Sequence, residues 1–226
     1  MKIIVLDTET TGLSVKDGHR IVEIGCIELE DLMPTKNIFH TYLNPERKVS
    51  EKALKVHGYT DEFLSDKKKF RDIADEFLNF IKDKKIIIHN AEFDISHLDN
   101  ELSLIGKGKI EKNFIIDTLD IARDKFPGAG VSLDALCKRY NIDNSKRVKH
   151  TAIVDCELLS KVYINLIDQK EPKLNFSNEN NIVDSDIITR LDYSKKVVEL
   201  TEEEISNHKN FFKKKFKKKF LLRIIF

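Results

Sequence analysis

The stretch from Ile3 to Leu13, IIVLDTETTGL, sets two carboxylates two residues apart where an apolar run ends. Side chains at i and i+2 of a strand share a face. If the strand continues, Asp7 and Glu9 point into one small volume. Unpaired charges there repel, and burial makes the repulsion worse. Something positive has to sit between them, and a bound metal ion meets that need directly. Taken alone the pair carries little weight, because strand ends often carry solvated acids. Its meaning depends on what else the fold brings to the same place.

The rest of the chain predicts an α/β fold. Lys2–Leu6 reads as a buried strand, and RIVEIGCIEL and IFHTYLNP alternate, the latter stopping at Pro45. Their short connections predict an antiparallel meander. FRDIADEFLNFIKD carries Phe70, Ile73, Ala74, Phe77, Leu78 and Ile81 at helical spacing. KIIIHN is a short buried strand, and FDISHLDNELSLIG a helix closed by Gly106. FIIDT is another strand. LDIARDKF is a helix ended by Pro127 and Gly128, Ser132 is placed to cap SLDALCKRYNI, and TAIVDCELLSKVYINLI is a long helix. A meander followed by alternating strands and helices gives a mixed sheet flanked by helices.

Composition shifts near Gln169, so residues 1–168 form one expected domain and the polar, Asn-rich stretch 169–196 a linker. Residues 197–226 form a helical, basic tail. Thr201 is placed to cap its helix, with three Glu residues in the first turn and Lys residues late. The final KKKFKKKFLLRIIF is low in complexity. It reads either as a weakly constrained terminus or as a Lys cluster at 213–219 that holds phosphates electrostatically. Net charge is only +1 over 226 residues, so any nucleic-acid contact must come from local patches. Cys26, Cys137 and Cys156 are odd in number and lack CxxC spacing, which predicts reduced thiols in a cytoplasmic protein. No apolar run reaches the roughly 20 residues of a membrane span, and no signal peptide is visible.

Two more acids stand at informative places. Asp94 follows a buried strand at the start of a helix. Asp155 lies on the first turns of the long helix, five residues after His150. Because i and i+5 stand about 140° apart on a helix, His150 is expected on the loop just before it. Four converging carboxylates could hold two hard cations, Mg²⁺ or Mn²⁺ in preference to zinc. Two such ions about 3.5–4 Å apart clamp the attacking and leaving oxygens of a phosphodiester displacement. A neutral imidazole is a serviceable base at pH 7.

Asp7-Thr8-Glu9, then Asp94 within HNAEFD, then His150-x4-Asp155 resemble the three motifs of the DEDDh 3′→5′ exonucleases. GHRIVEIG, VHGYTDEFLSDK, IADEFLNFI, FPGAGVSLDALCKRYNIDNSKR and HTAIVD are similar to the epsilon (proofreading) subunits of bacterial DNA polymerase III. The resemblance spans about residues 1–168. It implies an RNase H-like fold with a mixed five-stranded sheet, three antiparallel strands and then parallel ones. It implies removal of nucleoside 5′-monophosphates from single-stranded or frayed DNA 3′ ends by two-metal-ion catalysis. On this resemblance Asp7 bridges both ions, Glu9 and Asp155 complete one ion's site, and Asp94 supports the other. His150 takes the proton of the attacking water. Leu13 wedges between the last two bases, backbone groups around Thr8 and Thr10 meet the terminal nucleotide, and His57 lies beside it. Many family members carry Glu where this chain has Lys52, which puts the corresponding nucleotide contact in question.

The resemblance also implies that the tail binds the polymerase alpha subunit, with a theta-like subunit and the sliding clamp as further partners. Near Gln169 only KLNF approaches a clamp motif. Two rival readings stay open: a DEDDh RNA exonuclease of the RNase T or oligoribonuclease kind, and a non-catalytic scaffold of the polymerase core. Asp117 is expected to be structural, as are His89 and His97. Asn90 is placed to orient backbone near the site. His19, His40 and His208 receive no catalytic role.

Overall fold

The first strand does not stop where its apolar run stops. In the computed structural model, which describes residues 2–147, 149–168 and 201–215, β1 runs over Lys2–Thr10. β2 (Ile21–Glu30) and β3 (Met33–Tyr42) follow as an antiparallel meander. Two short helices, α1 (Glu51–His57) and α2 (Asp61–Ser65), lead to α3 (Phe70–Ile81). β4 (Lys85–Ile88), α4 (Ala91–Leu104), β5 (Ile115–Asp117) and α5 (Thr118–Lys125) alternate. α6 (Leu133–Arg139) and the long α7 (Ala152–Leu166) complete this part. The sheet order is β3-β2-β1-β4-β5, antiparallel across β3, β2 and β1 and parallel across β1, β4 and β5. This is the expected mixed five-stranded sheet.

Several elements differ from the sequence reading. β1 continues four residues past Leu6 because β2 pairs with it all the way to Thr10, so Asp7 and Glu9 lie within the strand. β3 begins at Met33, five residues before its alternation becomes visible. Its early half includes Pro34 and is largely exposed, as an edge strand permits. Helices α1 and α2 had no periodic signal, being one or two turns long. Their start signals are local: Ser50 accepts from the Ala53 N–H and Thr60 from the Phe63 N–H.

Alternation along β1 divides the core in two. Ile4 and Leu6 face a cluster with Phe77, Ile95, Leu98 and Leu102 from α3 and α4. Ile3 and Val5 face Leu136, Leu159 and Val162 from α6 and α7. Each fully buried aliphatic side chain contributes about 1.5–3 kcal/mol, so the two faces together clamp β1 in place. A partly buried ion pair ties α4 to the start of β2: Arg20 Nε and Nη2 donate to the two carboxylate oxygens of Glu101, each at 2.6 Å. All three cysteines are buried free thiols.

The chain divides into two units, Met1–Leu174 and Asn175–Phe226. Of the second, α8 (Glu202–Lys215) is described. Thr201 caps it as expected: the Glu204 N–H donates to Thr201 Oγ1 at 3.3 Å, and Glu204 Oε2 accepts from the Thr201 N–H at 2.9 Å. The expected linker at 169–196, the KLNF segment and most of the final Lys-rich stretch lie outside the described residues. Among the described residues no helix is long and apolar enough to cross a membrane.

Candidate active site

β4 pairs with β1 only at Ile3, Ile4 and Val5. Beyond Val5, then, β1 is held by β2 on one side and is open on the other. The Thr8 N–H has no β4 carbonyl to meet. It donates instead to Asp94 Oδ1 at 3.0 Å, and the Thr8 hydroxyl donates to the same oxygen at 2.7 Å. Asp94 therefore takes the place of a missing strand, and α4 delivers it from the first turn. Asp117 fixes the start of that helix by accepting from the Asn90 and Ala91 N–H groups, and caps α5 by accepting from the Leu119 N–H. This supports the structural role expected for Asp117.

On the other face, Asp7 pairs with Gly25 and Glu9 with Glu23. Gly25 lets the start of α7 come down onto the sheet. A Cβ there would stand 2.7 Å from the Ala152 carbonyl carbon and 2.8 Å from the Ile153 nitrogen. The Cys156 thiol also donates to the Gly25 carbonyl at 3.2 Å. Close approach at this point brings Asp155 over β1. Gly25→Ala is expected to lift the helix start, costing about 1–3 kcal/mol by overpacking. The resulting shift of about 1 Å would lower turnover about 10²-fold. Thermal melting and nuclease assays of the variant check both; unchanged turnover would contradict this reading of Gly25.

Glu23 is fully buried. Its carboxylate bonds His40 Nε2 at 2.7 Å and accepts from the Tyr59 hydroxyl at 2.8 Å and the Ala152 N–H at 2.9 Å. It thereby caps α7 from the face of β2 on which that helix rests. His150 sits just before that helix, as expected, and its N–H donates to the Val56 carbonyl at 3.2 Å.

These elements place Asp7, Glu9, Asp94, Asp155 and His150 around one cleft of about 600 Å³. Ligand atoms of Glu9, His150 and Asp155 lie within 4.8 Å of one another. Burial first, then Asp94, Asp155 and Glu9, push the Asp7 carboxyl well above its ordinary value. Burial, with Asp155 and Glu23 nearby, pushes Glu9 up to about 8. Burial raises Asp94 to about 7 against the opposing effect of its bonds from Thr8. Anionic groups held this way are short of positive charge. A set of hard carboxylate oxygens fits a divalent cation.

A second cleft adjoins the first, lined by Glu9, Leu13, Lys52, His57 and Phe93. Leu13 is 81% exposed, so its side chain is available for contact. Lys52 brings a cation to this cleft. His57 is buried and internally committed: its Nδ1 accepts from the Tyr59 N–H at 3.0 Å, and its Nε2 lies 3.3 Å from the Thr10 carbonyl. The Thr10 hydroxyl donates to the Gly12 carbonyl. His57 thus shapes the second cleft more than it offers a free donor, and Thr8, in the first cleft, has its N–H already bonded to Asp94. His89 and His97 bond Thr118 and Phe93 within the fold.

Sequence reasoning missed Glu23, Gly25, Asp134 and Arg147. An acid inside RIVEIG was the visible hint for Glu23. Arg147 in NSKR read as part of a charged loop, yet its side chain is only 8% exposed and lies against Asp155.

A family model described as Exonuclease matches residues 4–163. The DNA polymerase III subunit epsilon of Rickettsia felis is 44% identical over 218 residues, 93% of this chain and 95% of that protein. That of Escherichia coli is 48% identical over 168 residues, 71% of this chain and 69% of that protein. Among solved structures, the nuclease domain of 3′hExo, a DEDDh family member, bound to rAMP, superposes with a TM-score of 0.62 at 14% identity. It covers 75% of this chain and 92% of its own.

Proposed function

Because the chain belongs to the DEDDh exonucleases, among the epsilon subunits of bacterial DNA polymerase III, we propose that its acidic cleft proofreads DNA by trimming 3′ ends. The protein is a 3′→5′ exonuclease. The observation that carries the site assignment is the meeting of Asp7, Glu9, Asp94, Asp155 and His150, drawn from one strand, two helices and a loop, in a single cleft. Asp7, Glu9, Asp94 and Asp155 would hold two divalent cations, Mg²⁺ or Mn²⁺. Bound there, such ions would supply activation of water and neutralisation of charge on the phosphate. His150 accepts the proton of the attacking water, and Leu13, Thr8, Thr10 and His57 shape the seat of the terminal nucleotide. Frayed single strands suit such a seat, since a mismatched end is cheap to unstack.

Matched DNA and RNA oligonucleotides test this reading. DNA should be degraded from its 3′ end to nucleoside 5′-monophosphates at least as fast as RNA. A strong RNA preference would instead favour the RNase T or oligoribonuclease kind of enzyme.

The partner this reading assigns is the polymerase alpha subunit. We assign alpha binding to residues 197–226, where Ile205 of α8 is 39% exposed, with 169–196 as the linker. Truncation after Lys170 should leave nuclease activity near wild type and abolish capture by the alpha subunit in a pull-down. Undiminished capture would refute the tether.

A further inference from the structure

Two arginines line the acidic cleft. The Arg123 side chain is 62% exposed and turns to Asp120. Arg147 is different. Its Nε donates to Asp155 Oδ1 at 2.6 Å and its Nη2 to Asp155 Oδ2 at 2.7 Å, so the fork takes both carboxylate oxygens. Nη2 also contacts His150 Nδ1 at 2.9 Å, and Nη1 donates to Asp134 Oδ2 at 2.6 Å. Guanidinium has donors only, so His150 Nδ1 must be the acceptor. A neutral imidazole accepting at Nδ1 carries its proton on Nε2. In this arrangement one ring nitrogen is occupied and the other already bears a proton. Arg147 engages the Nδ1 lone pair for as long as the fork stays in place.

Asp155 and His150 are also two of the three residues whose ligand atoms converge within 4.8 Å. A dication there would share the cleft, and the same carboxylate, with a guanidinium. Like charges in such a place repel strongly. We propose that Arg147 is an exchangeable counter-ion: it neutralises Asp155 and restrains His150 while the cleft lacks a cation, and a divalent cation displaces it toward Asp134. Asp134, whose side chain is 54% exposed, keeps hold of Nη1 and gives the released fork a place to go. Arg147 thereby ties the readiness of His150 to cation loading. It acts through Asp155 and His150 and is a positioning residue.

The inference rests on the reading of the acidic cleft as a cation site, and the test separates the two. Calorimetric titration of the full chain with Mn²⁺ comes first. Wild type should bind, and Asp155→Asn should bind far more weakly. Arg147→Gln should bind Mn²⁺ about tenfold more tightly than wild type, the loss of a competing charged hydrogen bond being worth roughly that factor. Metal-free Arg147→Gln should melt below wild type, and saturating Mn²⁺ should erase the difference. A purely structural arginine would leave the deficit in place with and without Mn²⁺. Arg147→Lys, which keeps the charge and loses the fork, should fall between and serves if the Gln variant does not fold. Crystals of wild type grown with Mn²⁺ should show the Arg147–Asp155 fork open. Equal or weaker Mn²⁺ binding by the Arg147 variants, or an intact fork beside bound Mn²⁺, would overturn the proposal. No Mn²⁺ binding by wild type would overturn both it and the cation-site reading beneath it.

Discussion

Asp7→Asn should lower hydrolysis of single-stranded DNA by about 10³-fold or more while leaving the metal-free protein at least as stable as wild type. Removing a carboxylate that helps hold the cations forfeits several kcal/mol of transition-state charge stabilisation, and each 1.36 kcal/mol is tenfold in rate. The stability half follows from the local field. Burial and the charges of Asp94, Asp155 and Glu9 all push the Asp7 carboxyl toward protonation. An asparagine of the same shape brings no charge into that field. The fold has no need of the Asp7 anion, since Gly25 opposite it makes room for α7 whatever its charge. Activity and stability trade against each other at such a position. A gel assay of a 5′-labelled oligonucleotide and a melting curve check both halves. Near wild-type turnover would defeat the assignment, and a large drop in melting temperature would make Asp7 a structural residue.

The second large effect concerns pH and metal together. Glu9 is raised to about 8 and Asp94 to about 7, and Asp7 is raised as well, against ordinary carboxyl values near 4. The folded state thus keeps protons that the unfolded chain gives up. Stability from these groups is fully present below the unfolded values near 4, and it is lost as pH rises through the folded values, toward 8. Metal-free protein should therefore melt progressively lower from pH 5 to pH 8. Divalent cations bind the ionised acids and stabilise by mass action, about 2.7 kcal/mol at one hundred times the dissociation constant. The gap in melting temperature between Mg²⁺-saturated and EDTA-treated protein should be small at pH 5 and widest at pH 8. Melting insensitive to EDTA at pH 8 would contradict the account.

Much of this was legible in the sequence because its signals are local. The core stripe of α3, the Ser132 and Thr201 caps and the short buried β4 announce themselves within a few residues. The four acids and His150 were legible as an ordered set, each placed at a strand or a helix start. What was not legible depends on distant partners. β1 seemed to end at Leu6 because acids are poor strand formers, and only pairing with β2 carries it to Thr10. The early half of β3 carries Pro34, Lys36 and Asn37 and forms through the same partner strand. Glu23 looks like one misplaced acid in an alternating strand until α7, 129 residues away, offers it the Ala152 N–H. Gly25 gives no hint of the helix that presses on it. Arg147 resembles any loop cation, and its meaning comes from Asp155 and His150, which meet it only in the folded chain.

Diffraction from crystals of the full chain grown with Mn²⁺ and a nucleoside 5′-monophosphate, read by anomalous scattering, tests the central claim most directly. Two peaks in the cleft, ligated among Asp7, Glu9, Asp94 and Asp155 with the nucleotide phosphate beside them, are the result expected. Manganese held elsewhere, or a cleft whose acids ignore both ions and nucleotide, would contradict it.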